Sequence, residues 1–307
     1  MGALAVAPPG AGLTRARGHR NSTGRGAHGR DGPGGRPRSG SGTMGEMSAF
    51  QARPAAGRLF STARRVRSTE VTPAGRLRLD ALARYLQEAA EDDLSDAGWT
   101  EPQVWLVRRT EVVIRAFPRL GQRVTVQTFC SGTGPRWAER VTTLTGSGGD
   151  LVQATAVWAA VGRGDGRPAV LGPQFQEIYG AAAGGRVVSA RLELPRPPAG
   201  LPAAPWPLRA ADFDPARHVN NAIHWAAAED ALAGRDWLPD TAVMEYHHAI
   251  EPGAVPALAV SADRGAVGLW LLDDTGQRLA SARLRRLDGG CDARRYGPPP
   301  PPGEPSP

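Results

Sequence analysis

The stretch RLRLDALARYLQEAAEDDLSDAG, residues 76–98, sets Leu79, Leu82, Leu86 and Ala90 at helical spacing, with Tyr85 and Ala89 beside them. Gly98 stands where a helix C-cap belongs. A strand-like run, FSTARRVRSTEV, and the turn TPAG precede this helix. Four strand-like runs follow it: VWLVRRTEVVIRAF, QRVTVQTFCSG, RWAERVTTLTG and LVQATAVWAAVG. Short Gly-, Pro- and Asp-bearing segments separate them, as tight antiparallel connections require.

The programme then repeats. WPLRAADF reads as a short strand, and DPARHVNNAIHWAAAEDALAG as a helix of similar length, with Asp214 where an N-cap would stand. TAVMEYHHAIE, PALAVSADR, AVGLWLLDD and RLASARLRR supply four more strand candidates. AAEDDL at 89–94 returns as AAEDAL at 227–232, though the matching order of elements is the better sign of a repeat. One strand, one long helix and an antiparallel meander give a sheet wrapped around an apolar helix. Two such halves can pair their open edges. The expected fold is therefore α+β, a tandem double hotdog: two antiparallel sheets, each wrapped around a long helix.

Composition bounds the rest. Residues 1–58 are expected to be a disordered Gly/Arg-rich leader, 59–171 a first hotdog, 172–200 an extended linker, 201–288 a second hotdog and 289–307 a disordered Pro-rich tail. The first 47 residues hold seven Arg against two acids, so most of the formal +7 charge lies there. What remains is nearly neutral and lacks a basic run interleaved with aromatics, which argues against nucleic acid as a partner. Every cation is Arg. No apolar run reaches membrane-span length. The distant Cys130 and Cys291 suggest neither disulfides nor a metal site, hence a reducing, cytoplasmic setting. Met44 or Met47 is a plausible alternative start.

The chain resembles the acyl-ACP thioesterases of plants and bacteria. The resemblance rests on VRSTEVTPAGRLRLDALARYLQEAAEDDLSDAGW, RRTEVVIRAFPRLGQRVTVQTFCSG, FDPARHVNNAIHW and MEYHHAIEPG, in that order between about residues 60 and 286. It implies hydrolysis of a fatty acyl thioester to free acid and acyl carrier protein, without metal or organic cofactor. It also implies that the acyl chain lies in the first hotdog and the chemistry on the second. Acyl-CoA or a polyketide-type acyl carrier remain alternative substrates, and a homodimer stays open.

Thioester hydrolysis needs a base for water and donors for the oxyanion. Asp214 and His218 are the candidate pair, with the helix N-terminus and the amides of Asn220 and Asn221 beside them. Singly, Asp214 reads equally as a cap and His218 as a structural group. The block departs from the family's D-x-N-x-H-V-N-N at Ala216. It departs again at Ala249, where plant relatives carry a functional Glu. Alternation along a strand puts Glu251 on the face of Ala249 and makes it the candidate substitute, with His247 another, though Glu251 reads equally as the start of the turn EPG, out in water. The losses equally suit a catalytically weak hotdog that only binds acyl thioesters. Tyr85, Ala89 and Trp105, with Trp158, are candidate walls of an acyl pocket, or ordinary core.

Overall fold

The computed structural model describes the backbone of Leu4–Ala5 and residues 50–287. Cys291, Met44, Met47, the expected tail and most of the expected leader lie outside those residues.

The strands are β1 (Leu4–Ala5), β2 (Phe60–Arg65), β3 (Gln103–Ile114), β4 (Arg123–Thr133), β5 (Trp137–Gly146) and β6 (Gly149–Gly162), then β7 (Ala203–Pro205), β8 (Thr241–Tyr246), β9 (Ala257–Ala262), β10 (Ala266–Leu272) and β11 (Arg278–Arg285). The helices are α1 (Leu79–Asp96), α2 (Pro173–Ala183) and α3 (Asn221–Ala231). All strands belong to one sheet, ordered β2-β4-β5-β6-β3-β8-β11-β10-β9-β7, with β1 parallel to β3 at Trp105–Leu106. The other pairings are antiparallel. Read from its outer edge inward, each half follows one rule: first strand, third, fourth, fifth, second. The halves meet where Arg109–Val113 of β3 pair with Thr241–Glu245 of β8.

Helix α1 forms as its apolar spacing requires, burying Leu79, Leu82, Leu86, Ala90 and Leu94 along one side. No side chain of its own caps its start; Glu229 of α3 does so across the halves, accepting the Leu79 N–H at 3.0 Å. Arg76 pairs with the same carboxylate. The core runs continuously from Leu79 and Val124 to Leu269 and Leu284.

Several local expectations are corrected. The second helix is much shorter than the first, beginning at Asn221 rather than near Asp214. Between them the chain is held extended or turned: Arg217 is left-handed at φ 62°, and Val219 donates to the Ile250 carbonyl at 2.9 Å. WPLRAADF is not a strand; β7 lies earlier, and Ala210–Asp212 is a short 3-10 turn. The 172–200 segment is not wholly an extended linker, because α2 occupies Pro173–Ala183. This helix buries Phe175, Tyr179, Ala182 and Ala183, with Pro at its first residue and Gly184 left-handed after its last. Residues 50–58, expected in the disordered leader, are tied down. Phe50 lies under the Arg115 guanidinium, Gln51 exchanges hydrogen bonds with Gln153, and Gly57 abuts the backbone of α2, where a Cβ would clash with Ala182.

Candidate active site

The loop before α3 is organised by Asp214. Its Oδ1 accepts the N–H groups of Ala216 at 2.9 Å and His218 at 3.4 Å, while its own N–H donates to the His218 carbonyl at 2.9 Å. The N-cap of α3 is Asn220, whose Oδ1 accepts the Ala222 N–H at 2.9 Å. Asp214 therefore fastens a tight loop rather than a helix end. Burial pushes its carboxyl up, against the backbone donors that hold it down. Ala216 fills the family's Asn position with a methyl that packs near Leu106 and Val161.

His218 is half-buried and its Nδ1 is enclosed without a hydrogen-bond partner. Asn221, three residues further and the first of α3, is 6% exposed, and both its amide nitrogen and its amide oxygen lack partners. Buried polar atoms are paired in the great majority of cases, so these three unpartnered atoms call for an explanation. Asn221 faces a cavity that also touches Ala83, Leu86 and Gln87 of α1, Val107 of β3, and Trp225 and Tyr246. Gln87 adds a further enclosed oxygen, Oε1, without a partner, and its Nε2 donates to Glu91 at 3.1 Å. Glu91 in turn feels the charge of Asp214. Partial desolvation raises its carboxyl above the usual range, the Gln87 bond opposes this, and Glu88, Asp92 and Asp214 add to the rise. In the sequence Gln87 and Glu91 announce themselves only by their one-turn spacing on α1.

Ala249 is buried at 6% exposure, next to Ile250, whose carbonyl is bonded to Val219. The family's acid position thus does lie against the His218 loop, but as a methyl. Strand β8 ends at Tyr246, so the alternation that placed Glu251 on this face does not continue; Glu251 is exposed in the following turn. His247 turns to Ser281, at 3.3 Å, and burial with nearby Arg278 and Arg108 lowers it to about 4. Tyr85 is committed elsewhere: its hydroxyl donates to Glu70 at 2.6 Å beneath the Arg64 guanidinium. Ala89 is buried in the core, and Trp105 lines a second cavity. His224, which the sequence reading passed over, lies fully buried under Tyr246, and desolvation lowers it to about 4.

The second cavity adjoins the first through shared walls, Arg140 and Trp158, and is closed by Trp105, Phe175 and Tyr179. Together the two touch Ala83, Leu86, Gln87, Ala90 and Leu94, one face of α1 about 16 Å long. The clear space is narrow, about 30 Å³ at the far end and 20 Å³ near Asn221, so a long guest must displace side chains. Among the described residues no His/Cys/Asp/Glu group has a metal-binding arrangement, and no helix is long and apolar enough to cross a membrane.

Residues 57–179 match the family model of the acyl-ACP thioesterase N-terminal domain. An uncharacterized protein of Mycobacterium tuberculosis is 29% identical over 242 residues, covering 78% of this chain and 96% of that protein. The 12:0-ACP thioesterase from Umbellularia californica matches with a TM-score of 0.63 at 18% identity, over 74% of this chain and 96% of its own. An acyl-ACP thioesterase from Bacteroides thetaiotaomicron matches with a TM-score of 0.63 at 16% identity, over 74% and 97%. The resemblance noted in the sequence is thus met twice: by the match of residues 57–179 to that family model, and by the fold the chain shares with the two solved thioesterases.

Proposed function

We propose that the protein hydrolyses acyl thioesters, with acyl carrier protein as the carrier and free fatty acid as the product, on a tandem double hotdog. In this reading residues 59–171 form the acyl-binding half and 201–288 the half that carries the chemistry, in the cytoplasm. The observation that carries it is the pair of amides with unpartnered buried atoms, Asn221 and Gln87, on the wall of a cavity along α1, with the enclosed and unpartnered Nδ1 of His218 three residues before Asn221.

His218 takes a proton from water as the water oxygen adds to the thioester carbonyl. The Asn221 amide, at the start of α3, donates to the oxygen as it becomes negative. Collapse breaks the carbon–sulfur bond, and the proton passes to the departing thiolate. Asp214 holds the loop that presents His218. Glu91, which accepts the Gln87 amide and lies within reach of the Asp214 charge, takes up part of the work of the acid missing at Ala249.

The test is free thiol release by the full chain from acyl-ACPs and acyl-CoAs of graded length. Turnover on the carrier-protein substrates supports the reading, and preference for CoA moves the carrier. Folded protein inert on every thioester would leave an acyl-binding protein, the second reading that Ala216 and Ala249 favour.

A further inference from the structure

A basic cluster stands at the end of β8, where the chain leads into Ala249. Arg108 donates from Nη1 to the His247 carbonyl at 3.4 Å. The N–H groups of His247 and His248 both donate to the Leu279 carbonyl, at 2.9 and 3.1 Å, which brings Arg278 alongside. Arg278 donates from Nη1 to the carbonyls of Leu194 and Pro195, at 2.9 and 3.2 Å, and so draws in Arg196. The charges of Arg278, Arg108 and Arg196 all bear on His247, and that of Arg108 on His248.

Among the described residues none of the three guanidinium groups has an ion-pair partner. Glu245 and Asp273 are the acids whose charge reaches the cluster, and both are turned onto backbone donors. Glu245, 1% exposed, accepts the N–H groups of Glu193 at 2.5 Å and Leu194 at 3.1 Å. Asp273 closes its own turn, accepting the N–H groups of Thr275 at 2.9 Å and Gln277 at 2.8 Å. Arg108 is half-buried, and burial lowers its guanidinium, with Glu245 offsetting part of the effect. Enclosed cations are paired as a rule, and guanidinium forks match the oxygens of carboxylates and phosphates. The cluster thus suits an anion, and its place in the fold says which. His248 is followed by Ala249 and Ile250, whose carbonyl holds the Val219 N–H beside His218. Arg108 follows Val107, a wall of the cavity that Asn221 faces. The cluster therefore flanks the thioester site, and a thioester carried on a pantetheine arm has a phosphate at the other end of the arm.

We infer that Arg108, Arg196 and Arg278, with His248, bind the phosphate of the pantetheine arm that carries the acyl group. The inference rests on the thioesterase reading and adds to it a site for the carrier, of a chemistry that acyl carrier protein and CoA share. Arg278 and Glu245 hold Leu194 from its carbonyl and its N–H, so the segment that presents Arg196 is fixed on the sheet before any ligand arrives.

The experiment compares the dodecanoyl thioesters of pantetheine, phosphopantetheine, CoA and acyl carrier protein on the full chain, on Arg108→Gln and on Arg196→Gln, whose exposed position spares the fold. Pantetheine and phosphopantetheine themselves are titrated in parallel by calorimetry. The phosphopantetheine thioester is expected to exceed the pantetheine thioester in kcat/KM by on the order of tenfold, the lower end of a hydrogen bond to a charged group. That ratio is expected to fall toward unity in Arg108→Gln and partway in Arg196→Gln. A loss in Arg108→Gln on the carrier-protein thioester makes that protein a source of the phosphate, and a loss confined to the CoA thioester makes CoA the source; either supports the site. Equal turnover with and without the phosphate, or a ratio both variants leave unchanged, overturns the inference while leaving hydrolysis intact. If no thioester is cleaved but phosphopantetheine binds tighter than pantetheine, and Arg108→Gln removes the difference, the inference stands and the hydrolase reading falls. If neither cleavage nor discrimination occurs, both fall.

Discussion

Asp214 and His218 hold each other by the backbone: the Asp214 N–H donates to the His218 carbonyl, and Asp214 Oδ1 accepts the His218 N–H. The carboxylate is therefore a fastener of the loop before it is anything else. Asn at this position keeps an acceptor oxygen for the same N–H groups and loses only the charge; Ala loses both. If Asp214 acts chiefly by positioning, Asp214→Asn retains most of kcat and Asp214→Ala loses it together with about 1 kcal/mol of stability. Equal collapse of kcat in both, with thermal unfolding unchanged in Asp214→Asn, would instead place the charge itself in the chemistry.

Glu91 gives a second expectation. Its carboxyl is raised, and titrating it changes the charge beside Asp214. Glu91→Gln is expected to lower kcat roughly a hundredfold, the lower end of what a general acid or base contributes, and to remove the acid limb of the pH–rate profile. Gln87→Leu, which removes the orienting donor, should reproduce a weaker form of the same change. A profile in Glu91→Gln that superimposes on wild type would exclude Glu91 from the reaction.

Ala216 tests the departure from the family block directly. It is only partly buried in a loop, so Ala216→Asn has room that Ala249→Glu, in the core, lacks. Ala216→Asn is expected to raise kcat severalfold at little cost in stability. Ala249→Glu is expected to lose several kcal/mol from an unpaired buried carboxylate. Denaturant titration and thiol-release assays on both variants separate these outcomes.

Glu229 couples the halves. It accepts the first N–H of α1 and pairs with Arg76, which is 6% exposed. Glu229→Ala leaves that guanidinium buried and unpaired and should cost about 3 kcal/mol. Arg76→Met with Glu229→Leu should recover part of it. A single-variant loss under half a kcal/mol, read by equilibrium unfolding, would show that the cross-half cap contributes little.

Acid should weaken the fold early. His224 has a folded pKa of about 4 against about 6.5 unfolded, so between those values the unfolded chain binds the extra proton. Stability then falls as pH drops through that window, by up to about 1.4 kcal/mol per pH unit from this group. His247, lowered to about 4, acts in the same direction, while the raised carboxyls of Asp214 and Glu91 oppose it. His224→Gln should flatten the dependence between pH 6.5 and 4. An unchanged slope would mean that His224 is charged in the folded protein.

Much of the fold was legible because period and punctuation agree. Leu79, Leu82, Leu86 and Ala90 state the α1 face, and the turn residues between β3, β4, β5 and β6 state the meander. α2 was readable too: Pro173 and Gly184 bracket it, but the prolines that follow drew the whole segment into the linker. The start of α3 was misplaced because Asp-Pro opens helices and tight loops alike; tertiary pairing of Val219 with Ile250 decided for the loop. Asp214, His218 and Asn221 were legible as a block. Gln87, Glu91 and Tyr179 were not, since only folding brings α1 and α2 to the cavity. Glu251 failed as a substitute because β8 ends five residues earlier, which alternation alone does not reveal.

The most direct measurement is thiol release from dodecanoyl-ACP by the full chain beside His218→Ala, both checked for intact folding. Turnover is expected, and it is expected to fall by at least a hundredfold in the variant. Turnover that survives His218→Ala unchanged would contradict it.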